Sequence, residues 1–496
     1  MPRTENSTQS IIAPIFVLTT TFSTFGDILG MYVIPDQEWG ALLMSLVLIK
    51  NGTVGKADGA FRGDVLIEGE KIREVGPCIE HEGAFVVDAE GRYVVPGGVD
   101  PHTHVSLVSA GRSVSDGFEA ATKAAIWGGT TTIVEHPGFV SEGSSLSLAV
   151  DDTLKKGTGT SYTDFGVHMV FQGKNGFEEK DVRELVLRGH ATGKVYTTYN
   201  ARMNEDQIVS LMKLMERSGG LLLYHAENDK EIWRITSYYE KKRMTGTKYW
   251  PLSRPGHCEA DAVDLILELA KSTGVPTYIV HLSTLSGLKS IMEIREHGQK
   301  VYAETCPQYL CLTDELYIGE NGIDYVMAPP LRKKKDCEAL WKAIASGDID
   351  TVGTDHCSFS RADKVRYGEG NVFRTPGGIP GIETRMPILF SEGVMKERIS
   401  LERFVAVTST GPAKILGLKK KGRIEAGADA DIVIIDPKTE KVLSADTLHQ
   451  KVDYTPFDGM KVRGLPSHVW LRGMPMLESG TFVGDGPSGR FVKRFL

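Results

Sequence analysis

Eight short apolar runs, spaced along the chain and separated by helix-patterned or loop stretches, constrain its fold more than any other feature. In order they are "YVVPGGVDPHTH", "GTTTIVEH", "DFGVHMVFQ", "GKVYTTYN", "GLLLYHAE", "PTYIVHLS", "VYAETCP" and "IDTVGTDH". Near-continuous apolar character marks strands covered on both faces, the pattern of a parallel sheet rather than of a half-exposed hairpin. Between the runs lie stretches such as "EDQIVSLMKLMERSGG", "EADAVDLILELAKSTG" and "LSGLKSIMEIREHG", which carry helical periodicity and close on glycine. Parallel strands need long crossovers, so eight such units predict an α/β fold, a (β/α)8 TIM barrel.

The two ends read differently. Short β-segments and turns fill Ser45 to about Val95, and the same texture returns after about Leu416 in "KGRIEAGADADIVIIDP" and "SHVWLRGMPML". They predict one small β-sandwich domain built from both ends, with parts at 44–95 and 416–480, around a barrel over 96–415 and before a tail at 481–496. Residues 1–43 fit none of these. The apolar stretch Ile11 to Phe22 is interrupted by Pro14 and a threonine run, Arg3 is the only early basic residue, and no small-residue cleavage site follows. It is too short and broken to span a membrane, and 1–43 is expected to be a poorly ordered N-terminal extension.

Composition narrows the partners. The net charge is −7 with Lys and Arg scattered, which gives no electrostatic footprint for nucleic acid or an anionic membrane and points to a small-molecule substrate. Six cysteines without C-x-x-C spacing fit a reducing, cytoplasmic setting.

In a barrel of this kind, chemistry sits at the C-terminal strand ends. His102 and His104 end the first strand, two residues apart and so on one face. Lys194 lies in the fourth strand, His225 ends the fifth, His281 the sixth and Asp355 the eighth. Each alone has an ordinary reading: an incidental H-x-H, a solvated amine, a hydrogen-bonded core histidine, a turn-capping aspartate. Their joint arrival at one rim is not ordinary, and it points to metal. Four histidines and an aspartate exceed one tetrahedral zinc and suit two divalent ions about 3.5–4 Å apart. Zn2+ is the expected metal, and Mn2+ or Co2+ would accept the same donors.

Lys194 is then the puzzle, because a protonated amine has no lone pair. At an ordinary pKa, roughly one lysine in two thousand is neutral at pH 7, though burial and nearby cations raise that fraction. A neutral amine can take up CO2 to give a lysine carbamate, an anionic ligand with two oxygens able to bridge two ions. Two divalent ions, a carbamate, an aspartate and a hydroxide leave a single net positive charge, suited to an anionic tetrahedral intermediate.

Together the stretches "PGGVDPHTHV", "GGTTTIVEH", "GKVYTTY", "YHAEN", "SRPGHCEADAV", "YIVHLS", "AETCPQYL", "APPLR", "VGTDHCSF", "GGIPGIETRMPILF" and "DYTPFDGMKVRGLP" resemble the cyclic amidohydrolases of the amidohydrolase superfamily, and most closely the hydantoinase and dihydropyrimidinase group. The resemblance covers Met44 to the C-terminus. It implies that His102 and His104 bind the more buried ion with Asp355, that His225 and His281 bind the other, and that Lys194, as N6-carboxylysine, bridges them. It implies Tyr199 as the donor to the substrate oxyanion, Asp355 as the catalytic proton carrier, and a homotetramer.

Two positions depart from the pattern. Ala328 stands where many hydantoinases have serine, and Gly377 where they have asparagine. Substrate contact there is expected through the backbone alone, and both residues also look like allantoinases. Dihydroorotases carry an arginine where this chain has Ser106, although Arg112 nearby is a second candidate for an anion. A non-catalytic dihydropyrimidinase-like scaffold is the alternative from another class; such a protein is expected to lack several of the six metal positions, and this chain keeps all six.

Overall fold

The computed structural model describes residues 46–109 and 111–496. The expected N-terminal extension lies outside them.

The N-terminal part of the β domain comprises β1 (Leu46–Lys56), β2 (Gly59–Glu68), β3 (Lys71–Gly76), β4 (Phe85–Asp88) and β5 (Tyr93–Pro96). A register shift between Ile49 and Gly52 bends β1, so that its first half pairs with β4 and its second half with β5. One residue after β5 the barrel begins. Gly97 and Gly98 permit this change of sheet: a Cβ on Gly97 would lie 2.2 Å from Thr131 Oγ1, and one on Gly98 2.4 Å from Met386 Sδ.

The barrel strands are β6 (Gly98–Thr103), then, after the small hairpin β7 (Val108–Ser109) and β8 (Arg112–Ser113), β9 (Thr130–Glu135), β10 (Asp164–Val167), β11 (Met169–Val170), β12 (Thr192–Tyr196), β13 (Leu221–His225), β14 (Thr277–Ile279), β15 (Val301–Thr305) and β16 (Thr351–Val352). All eight expected runs are present. β10 and β11 are one strand broken at His168, whose N–H crosses to Glu135 O (2.9 Å). Neighbouring strands run parallel, and the circle closes where Asp355 N donates to His102 O (3.0 Å) and His104 N to His356 O (2.8 Å). Every residue of β6, β9, β12 and β13 is buried, as expected for strands with a packed interior on one face and helices on the other. At about 1.5–3 kcal/mol for each fully buried large aliphatic side chain, such runs dominate the stability of the barrel.

The crossover helices stop and start where the sequence signals them. Helix Glu205–Arg217 opens on a capping box between Asn204 and Gln207, and helix Gly256–Thr273 closes on Gly274 at φ 72°.

The chain then returns to the β domain as β17 (Ile432–Val442), β18 (Lys461–Leu471), β19 (Met474–Glu478) and β20 (Thr481–Phe482). One nine-stranded sheet results, in the order β20-β19-β18-β17-β5-β1-β2-β3, with β4 on β1. The two ends meet at β5, which pairs with β1 on one side and β17 on the other. Val47, Ile49, Val65, Ile67, Ile432 and Ile434 form a core of their own beneath it.

A buried charge cluster fixes this sheet to the barrel. Lys421 Nζ lies 2.5 Å from Asp164 of β10, 2.8 Å from Asp431 and 3.0 Å from Asp429. The C-terminal tail joins the same junction. Read from the sequence, "GRFVKRFL" is an intersubunit contact or a solvated end; the solvated reading is corrected at its centre, where Phe165 N donates to Arg490 O (2.9 Å) and Val492 N to Phe165 O (2.8 Å), while Phe495 and Leu496 stay exposed. The Arg494 guanidinium is fully buried and donates to Thr192 Oγ1 and Val167 O, both at 2.6 Å. Buried carbonyls at the barrel's lower end, Phe165 O and Val167 O, thus find donors in the tail.

Candidate functional site

Nine residues singled out from the sequence, His102, His104, Lys194, Tyr199, His225, His281, Ala328, Asp355 and Gly377, line one cavity of ≈ 730 Å³ at the C-terminal end of the barrel. Arg112, on β8, lines it too, its guanidinium stacked 3.9 Å over Tyr367.

The expected ligands fall into two groups. His102 Nε2 and His104 Nε2 each lie 3.2 Å from the same oxygen, Asp355 Oδ1, and His102 Nε2 lies 3.2 Å from Lys194 Nζ. His225 Nδ1 and His281 Nε2 face each other at 2.9 Å. The donor atoms of His102, His281 and Asp355 all lie within 4.8 Å of one another, so the two groups are adjacent. Buried donor atoms aimed at a common point and not at protein partners are what an ion site requires. Burial also holds the His102 and His281 imidazoles well below their usual range, and Lys194 and neighbouring histidines add to it, which leaves neutral rings with free lone pairs. The Lys194 amine is pushed down to about 8 by burial, against the opposing charges of Asp355 and Glu304. The residues fit a binuclear metal centre.

Local backbone conformation aims three of these side chains. Tyr199, His281 and Asp355 sit at φ of 67°, 39° and 53°, a region costly for residues other than glycine and found where a site demands it. Asp229 holds Tyr199 there, accepting from Tyr199 N (3.1 Å) and Thr198 Oγ1 (2.9 Å). Burial raises the Tyr199 phenol far above its ordinary value, so it remains a hydrogen-bond donor.

Around these lies a shell that sequence reasoning missed. Asp100 accepts from His102 N (3.2 Å) and Thr354 N (3.1 Å), tying the H-x-H strand to the turn that carries Asp355. Glu227 receives His225 Nε2 at 2.8 Å and Arg254 at 2.6 Å; burial opposes its charge, but Arg254 and His225 hold it down to about 2. His136 packs 4.4 Å from the His102 ring centre. Glu304 contacts His102 Nδ1 at 2.7 Å, and burial pushes its carboxyl up to about 8. The rule that chemistry gathers at barrel strand ends would have found Glu304, which lies in "VYAETCP" on the seventh strand.

The comparisons with known proteins agree with this geometry. The amidohydrolase family profile matches residues 93–476. This chain belongs to the amidohydrolase family. Among its relatives is the D-phenylhydantoinase of Escherichia coli O1:K1, 40% identical over 90% of this chain and 98% of that protein. Among solved structures, the dihydropyrimidinase from Brevibacillus agri superposes with a TM-score of 0.88 at 38% identity, covering 91% of this chain and 99% of the other. The L-hydantoinase (dihydropyrimidinase) from Arthrobacter aurescens gives 0.83 at 28%, covering 90% and 99%. The candidate site lies at the mouth of a barrel braced by the β domain. Among the described residues, no helix is long and apolar enough to cross a membrane.

Proposed function

We propose that this amidohydrolase is a binuclear metal-dependent hydrolase that opens the ring C–N bond of hydantoins or dihydropyrimidines to give N-carbamoyl amino acids. The observation that carries the reading is the convergence of four histidines, a lysine and an aspartate, in two facing groups, on a cavity large enough for a substituted five- or six-membered ring.

His102, His104 and Asp355 would hold one ion, His225 and His281 the other, and the carbamate of Lys194, formed from the neutral amine and CO2 with loss of a proton, would lie between them. Bound there, two divalent cations of the Zn2+ type supply a hydroxide near neutral pH and polarise the scissile carbonyl. Tyr199 donates its phenolic proton in a hydrogen bond to the developing oxyanion. Asp355 accepts a proton as the nucleophile attacks and returns it to the departing ring nitrogen, serving first as base and then as acid. Ala328 and Gly377 offer only backbone groups to the ring. Leu107, Phe139, Met327, Phe359 and Phe373 line the same cavity and suit an apolar exocyclic substituent.

The rival substrates fit less well. Ser106, where a dihydroorotase would have arginine, gives both its N–H and its hydroxyl to Glu135 at 2.9 Å and faces no substrate charge. The relatives named above are hydantoinases and a dihydropyrimidinase, which leaves allantoin the weaker candidate despite Ala328 and Gly377. A cytoplasmic homotetramer completes the proposal, tested by analytical ultracentrifugation of the purified protein.

The deciding experiment is kcat/KM of the zinc-loaded protein on hydantoin, 5-phenylhydantoin, dihydrouracil, allantoin and dihydroorotate, with a chelated control. Chelator-sensitive opening, strongest on hydantoins or dihydrouracil and abolished in Lys194→Ala, is expected. Turnover strongest on allantoin would move the substrate assignment, and no turnover on any member would overturn the hydrolase reading.

A further inference from the structure

Glu304 ligates nothing in the proposed centre, yet it touches both halves. Its Oε1 contacts His102 Nδ1 at 2.7 Å and accepts the backbone N–H of His281 at 3.2 Å; its Oε2 accepts from Tyr278 OH at 2.7 Å. Tyr278 OH is in turn bonded to Thr351 Oγ1 at 2.5 Å, and both Glu304 and Tyr278 are fully buried. The Glu304 backbone adds a third tie, its C=O accepting from Leu282 N at 2.7 Å. One side chain thus meets a ring of one ligand group and the backbone of the other.

Space has been left for it. A Cβ on Gly353 would lie 3.1 Å from Glu304 Cδ, 3.1 Å from His102 Cβ and 3.2 Å from Glu304 Oε2, so any larger residue in "VGTDH" presses the carboxylate against the histidine it orients.

We propose that Glu304 is a positioning residue for the metal centre: it fixes the Nδ1–H tautomer of His102, so that the Nε2 lone pair faces Asp355 Oδ1, and it holds His281 at its left-handed φ of 39°. A histidine whose second nitrogen is engaged by a carboxylate is a better oriented and more basic ligand. The inference rests on the metal-centre reading above and adds to it a residue outside the ligand set.

The test compares apoprotein variants by zinc titration against a chromophoric chelator, with far-UV circular dichroism and apoprotein Tm to establish folding. Glu304→Leu removes the acceptor. Glu304→Asp keeps the carboxyl group and withdraws it by one methylene, and it decides the matter if the Leu variant does not fold. Both are expected to bind zinc about 10–100-fold more weakly than wild type, whereas Glu304→Gln, which keeps an acceptor oxygen at the same reach, stays nearer to wild type. A folded Leu or Asp variant that binds two zinc ions with wild-type affinity overturns the role of Glu304, as does a loss of Tm with no change in zinc affinity. A wild-type protein that takes up no zinc overturns the metal centre itself, and the role with it.

Discussion

Replacing Lys421 by methionine should cost this protein about 3–5 kcal/mol, the range for removing one partner of a buried ion pair. The ammonium is 1% exposed and serves three carboxylates, but they do not suffer equally. Asp164 keeps Arg472 and the Arg490 N–H, and Asp429 keeps Lys71. Asp431 keeps only the Arg472 backbone N–H at 2.8 Å among its described side-chain contacts, and burial already pushes its carboxyl upward. The loss therefore reports mainly one stranded carboxylate rather than three. Methionine has nearly the length of lysine, so little packing is lost. Asp431→Asn in the Lys421→Met background should recover all but about 1–2 kcal/mol, since a buried pair replaced by neutral groups is often close to neutral overall. Burial works against the Lys421 charge, but Asp431, Asp164 and Asp429 outweigh it and hold the amine above its ordinary value. Its stabilisation is thus complete below a pH of about 10.4 and is lost only as pH rises through the higher folded value. The deficit should accordingly be constant from about pH 7 to 9. Urea unfolding followed by far-UV dichroism and tryptophan fluorescence together measures it, coincident curves licensing the free energy. A single-mutant loss below about 1 kcal/mol, or a double mutant no better than the single, would refute the role given to the cluster.

Tyr199→Phe should lower kcat by about 10²–10³ while leaving bound zinc unchanged, because the phenol meets the oxyanion and not the ions; metal analysis and steady-state kinetics on one preparation separate the two, and wild-type kcat would remove Tyr199 from the mechanism. His190, at the lower end of the barrel and stacked on Phe491, is held down to about 4, first by burial and then by Arg494, against a bond to Val167 O. Its folded value is depressed, so the unfolded chain takes up the proton first and stability should fall by about 3 kcal/mol as pH drops from about 6.5 to 4. His190→Gln should flatten that part of the stability curve, and a slope equal to wild type would show that another group titrates there.

The barrel was legible because its signal is local. Eight apolar strands separated by crossover segments can be counted along the chain, and H-x-H places two rings on one face by strand geometry alone. The residue types at the strand ends already pointed to a metal site, and the two ions and modified lysine proposed for it follow from them. Spacing alone could not show which donor faces which; the grouping was only what the family resemblance implied. His225 and His281 are 56 residues apart and meet at 2.9 Å; Glu304 reaches His102 across 202 positions. The strand-end rule marks Glu304 as a candidate, but nothing near it in the chain shows that it meets His102. The tail misled for the same reason: "GRFVKRFL" reads as an intersubunit contact or a solvated end, and only the packing of β10 beside β12, which sets Val167 O and Thr192 Oγ1 within reach of one guanidinium, shows why Arg494 is buried.

The sequence by itself determined the kind of fold and the chemical character of the site, since periodicity and donor type are properties of neighbouring residues. The tertiary structure alone decided the pairing of the donors, the carboxylates behind them and the place of the C-terminus, because each depends on which distant segments closure of the barrel brings within hydrogen-bond reach.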